Sequence, residues 1–174
     1  MLDRFFAKKK PPVSGISILL LQRHLERFST DRLNLSMQRA WRQQYDAQKF
    51  FALSIFDGDG AVLKVRDVFY GIRHFERRLG PAELGDMELP RWANHAGYSS
   101  IECACPGGVP IGEPRSVMYV FLGLLCAELI TAETVGIFFS EEHLLFANDA
   151  DLCKRLRSRV PLFSHIATTN PLPE

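Results

Sequence analysis

Residues Ser116–Ile130, SVMYVFLGLLCAELI, run almost without a charged side chain, and Val135-Gly136-Ile137-Phe138-Phe139 follows five residues later. A helix that is apolar on nearly every side has to be covered on most of its circumference. The short apolar run after it reads as a buried strand. Together they mark the centre of a core against which the rest of the chain must pack, yet they carry almost no chemistry.

The chain has 174 residues, enough for one domain with its own core. The expected division is a flexible tail over 1–13, an α+β domain over 14–160 and an irregular tail over 161–174. Lys and Arg number 21 against 20 Asp and Glu, so the basic surplus on which nucleic-acid binding relies is missing and that class is set aside. Cys103, Cys105, Cys126 and Cys153 form no regular framework, which fits a reducing cytoplasm. The N-terminus sets Lys8–Lys10 behind Phe5 and Phe6, the wrong order for a secretory signal. The apolar run 117–127 is shorter than the roughly 20 residues that cross a bilayer. For residues 1–10 the composition supports no more than a weak contact with an anionic membrane surface.

Ile16–Gln22 (ISILLLQ) has the length and the flanking residues of a buried strand. A helix is expected over Thr30–Tyr45, capped by Ser29, Thr30 or Asp31, with Leu33, Met37, Ala40 and Trp41 on its inner face. Strands are expected over Phe50–Phe56 and Ala61–Val65, joined by the Asp57-Gly58-Asp59-Gly60 turn, and over Val68–Phe75. Residues 80–96 read as loop, with one helical turn at most within Leu89–His95. Strand Tyr98–Cys105, helix Arg115–Ile130, strand Thr134–Phe139 and a partner strand Leu144–Phe146 across a turn at Glu141-Glu142 complete the second half. A last helix is expected over Asn148–Ser158, capped by Asn148 or Asp149. The order strand–helix–strand–strand thus occurs at 16–65 and again at 98–146, which suggests a duplicated β-α-β-β unit. The predicted fold is a two-layer α+β sandwich, its sheet antiparallel or mixed, with the helices on one face.

Three packing motifs, Ala40-Trp41, Trp92-Ala93-Asn94-His95 and Gly136-Ile137, give this chain the look of a group of bacterial α+β proteins of the domain-of-unknown-function type. It resembles them over most of residues 14–158. The resemblance implies a fold and no activity.

Candidate chemistry is thin. Cys103-Ala-Cys105 places two thiols on one side of a strand, but no second pair stands near to complete a zinc site. No metal or other cofactor is expected. His95 with Cys105 or Ser99, and Glu102 as the acid, could assemble a nucleophilic site, although a Gly-x-Ser-x-Gly elbow is lacking. The loop Pro106–Gly112 has glycines but no Gly-Lys-Ser/Thr. Arg73 and Arg77 interleaved with Phe69 and Tyr70, together with Trp92, have the composition of a binding surface.

The sequence therefore predicts a non-enzymatic protein-interaction module with a protein partner, either an adaptor or an immunity-type protein that neutralises a toxin. A small hydrolase using His95, or a small-ligand sensor, are the alternatives. The oligomeric state is left open.

Overall fold

A strand can be aliphatic at nearly every position only if both of its faces are covered. In the computed structural model of the protein, which describes residues 16–55, 58–66, 68–104 and 115–158, strand β1 (Ile16–Gln22) meets that condition. It lies inside a seven-stranded sheet. The others are β2 (Phe50–Ile55), β3 (Gly60–Val65), β4 (Val68–Phe75), β5 (Gly97–Ala104), β6 (Thr134–Phe139) and β7 (Leu144–Ala147), in the order β2-β3-β4-β5-β1-β6-β7. Every neighbouring pair is antiparallel. The expectations for 1–13, Asp57, Cys105, 106–112 and 161–174 fall outside the described residues.

The period of two assigns the faces. Ile16, Ile18 and Leu20 of β1 join Phe50, Ala52, Leu63, Tyr70, Ile72, Ile101, Cys103, Ile137 and Phe139 in the main core. Over them lie α1 (Thr30–Trp41), α3 (Arg115–Leu129) and α4 (Leu152–Arg157). Helix α3 packs on β1 and β5, with α1 and α4 beside it, which satisfies the burial its sequence demands. Leu19 and Leu21 point the other way and form a smaller core with Tyr98, Val135, Phe138, Leu79 and Ala93. The fold is α+β, as expected, with the longer helices on one face. The opposite face is covered over β5-β1-β6 by the β4–β5 connection, which contains α2 (Pro81–Leu84) and a 3-10 turn, Arg91–Ala93.

Sequence and structure differ at several ends. Helix α1 stops at Trp41 because Arg42 turns left-handed (φ 53°) and returns its N–H to Gln38 O. Helix α4 starts at Leu152 instead of Asn148. Asn148 is drawn away to the 131–134 turn, where its Nδ2 donates to the carbonyls of Thr134 (2.8 Å) and Thr131 (3.3 Å). Helix α2 was not expected. It begins at Pro81, whose ring suits a first helical position, while Glu83 accepts the Gly80 N–H at 2.8 Å. The β-α-β-β order does occur twice, but the two copies are laid out differently. From β1 the chain crosses to the far edge at β2, whereas from β5 it steps over β1 alone to reach β6.

Candidate functional site

The two buried histidines were the natural place to look for catalysis. His95 is held between the two ends of the β4–β5 connection: its Nε2 accepts the Leu79 N–H at 3.0 Å and its Nδ1 donates to the Ala93 carbonyl at 2.8 Å. Both ring nitrogens are thus engaged by backbone, and the side chain fastens a loop. Burial lowers its pKa, and the Arg78 charge lowers it further against the opposing Ala93 bond. A neutral ring is the form this pair of bonds requires.

Ser99 is fully buried on the helix-covered face, where it meets His74 and not His95. The Phe28 N–H donates to His74 Nε2 at 3.3 Å, so the proton of the neutral ring sits on Nδ1 and is directed at Ser99 Oγ, 2.8 Å away. A general base needs its lone pair facing the nucleophile, and here it faces the Phe28 amide. Burial drives the His74 pKa down to about 4, helped by the Arg27 charge. His95, bonded to Leu79 and Ala93, belongs to the opposite side of the sheet from Ser99. Glu102 also points to that opposite side and accepts from Ser100 Oγ at 2.7 Å. Cys105 lies outside the described residues. Cys103 is packed in the main core. Among the described residues, no three His, Cys, Asp or Glu side chains gather as a metal would require.

The five residues of the expected binding surface do not share one patch. Tyr70 is only 2 % exposed and packs on Trp41 in the main core, with ring centroids 5.7 Å apart. Trp92 rests on Gly136, close enough that a Cβ there would meet its ring at 2.9 Å. Arg77 lies over Phe75 and Tyr98, paired to Glu83 at 2.5 Å. That pairing holds the Glu83 carboxyl down at about 2, while burial and the Glu83 charge push the Tyr98 phenol up to about 12. Phe69 and Arg73 share the outer face of β4, four residues apart with Gly71 between them.

That outer face continues across the edge of the sheet, and here the structure adds residues the sequence reading missed. Phe50 and Ala52 point into the main core, so alternation turns Phe51, Leu53 and Ile55 outward. Register sets Leu53 opposite Val62, Phe51 opposite Lys64, and Lys64 opposite Phe69. Lys64 Nζ lies 5.7 Å from the centre of the Phe69 ring. Phe51, Leu53, Ile55, Val62 and Phe69 thus share one face with Lys64, which lies between Phe51 and Phe69, and with Arg73, and none of the five apolar residues belongs to either buried cluster. Leu53 is 56 % exposed. The signal was present in FFALSI: an edge strand covered on one side should alternate with polar residues, and this one is apolar on both.

The free backbone edge beside this strip is closed. Asn34 Oδ1 of α1 accepts the Ala52 N–H at 2.8 Å and Thr30 Oγ1 accepts the Ser54 N–H at 3.3 Å. An approaching chain therefore finds a face on which to lie and no free strand edge to extend at these two positions. No family model, curated protein or solved structure matches the chain.

Proposed function

We propose that this protein is a non-enzymatic interaction module, an adaptor or a toxin-neutralising immunity-type protein, that binds a partner protein across the outer face of β2-β3-β4. The observation that carries this reading is the strip Phe51, Leu53, Ile55, Val62 and Phe69, apolar and turned away from both cores. A contiguous exposed apolar patch with a polar rim is the usual mark of a protein contact. Lys64, set between Phe51 and Phe69, and Arg73 favour a partner whose apolar contact includes carboxylates. The engagement of both buried histidines by backbone supports a role other than hydrolysis.

The test is affinity capture with the wild-type chain and two variants, Leu53→Asp in the strip and Leu35→Asp on the exposed side of α1, both at exposed positions. One stoichiometric partner retained by wild type and Leu35→Asp and lost by Leu53→Asp is the expected result. An empty wild-type eluate, or capture indifferent to Leu53→Asp, overturns the reading.

A further inference from the structure

The β4–β5 connection covers β5-β1-β6 but does not fill the space it encloses. Between its two limbs is a cleft of about 740 Å³, with Leu79, Leu84, Met87 and Leu89 among its walls. His95, by bonding Leu79 on one side and Ala93 on the other, fixes the distance between those limbs. Clefts of this size with largely apolar walls and a few polar groups are the usual form of small-molecule sites.

Three charged residues line the cleft: Arg78, Arg91 and Glu88. Arg78 and Arg91 are exposed, and neither forms an ion pair among the described residues. This contrasts with the adjacent Arg77, which is bound to Glu83. Two guanidinium groups against one carboxylate leave the rim with a positive excess, and guanidinium is well suited to a carboxylate ligand.

We infer that this cleft is a binding site for a small amphipathic monoanion, an alkyl carboxylate whose chain lies along Leu79, Leu84, Met87 and Leu89 and whose head meets Arg78 and Arg91. The site is separate from the β2-β3-β4 strip, so Leu53→Asp leaves it intact and the two proposals stand or fall independently.

Isothermal titration of the full chain with decanoate, and with decanol as the uncharged ligand of equal length, tests it. The expected result is saturable one-site binding of decanoate below its micellar range, with decanol weaker. The Arg78→Gln/Arg91→Gln double variant weakens decanoate by about tenfold and leaves decanol unchanged. Both substitutions are at exposed positions, and the decanoate–decanol difference in the wild-type chain is a second readout that requires no variant. Absence of saturable decanoate binding, or equal affinity for the two ligands, overturns the inference, as does a double variant that binds decanoate like the wild type.

Discussion

The side-chain oxygen of Asn34 takes the backbone N–H of Ala52 at 2.8 Å, joining the middle of α1 to the outermost strand. This one contact does two things. It satisfies a part-buried donor that a terminal strand would otherwise leave open, and it denies that donor to any other chain. Asn34→Ala is expected to cost roughly 0.5–1.5 kcal/mol, the net worth of one hydrogen bond whose donor is only part-buried. It should also raise concentration-dependent association of the folded protein. Urea unfolding read with light scattering checks both, and a variant as stable and as monodisperse as wild type contradicts the assignment.

Leu53 differs from Leu63, its neighbour on the same hairpin, in where it points. Leu63 is fully buried and Leu53 is 56 % exposed. Leu53→Ser is expected to change stability by no more than about 0.5 kcal/mol, as surface substitutions do. Leu63→Ala should cost about 2–5 kcal/mol through the cavity it leaves. Paired denaturant titrations compare the two, and a large loss in Leu53→Ser would mean that the strip is covered within the chain.

The buried histidines predict an acid limb in stability. His74 and His95 both have folded pKa values below the ordinary 6.5, for His74 about 4. In this range the unfolded chain binds more protons than the folded one, so the contribution is complete above pH 6.5 and fades as pH falls. For His74 the loss runs from about pH 6.5 to about pH 4 and amounts to roughly 3 kcal/mol at most. His74→Gln should flatten this limb, and ring resonances followed by NMR should show His74 neutral at pH 5.5. A charged ring at that pH contradicts the Phe28–His74–Ser99 arrangement.

Gly136 is required by closeness. A Cβ there would stand 2.6 Å from the Phe146 carbonyl oxygen and 2.9 Å from the Trp92 ring. Gly136→Ala is expected to destabilise by about 1–3 kcal/mol and to move the Trp92 fluorescence by displacing the indole. Gly71, with nothing within 4 Å of its would-be Cβ, is the control: Gly71→Ala should be nearly neutral.

Most of the secondary structure was legible because the elements are long and their periods clean. Ile16–Gln22 and Thr134–Phe139 were recognisable as strands from the length of their apolar runs and the residues that bound them. The ends were harder to place, since they depend on single residues whose best partner lies elsewhere in the chain. Arg42 and Asn148 are the examples. The order of strands could not be read, because nothing local in β1 says that its neighbours begin at Gly97 and Thr134.

The candidate residues were named from composition, which does not say on which face of a strand each one stands. Phe69 and Arg73 fall on one face of β4, whereas Tyr70, named with them from composition, points through the sheet. Ser99 was expected beside His95, and the pleat turned it to His74 instead. Strict alternation applied to FFALSI would have revealed Phe51, Leu53 and Ile55. The cleft in residues 78–95 left no period to read, because irregular backbone encloses it.

The place of β1 in the sheet has a consequence for biosynthesis. It is the first of the described strands to be synthesised, and both of its partners, β5 and β6, are encoded much later. Meanwhile β2, β3 and β4 can pair with one another as soon as they emerge, through contacts local in sequence. The nascent chain therefore carries an aliphatic strand with two adhesive faces that has no sheet neighbour until β5 is made and lacks its second until translation passes Phe139. Shielding of β1 by a chaperone, or rapid synthesis of the second half, should therefore raise the yield of folded protein.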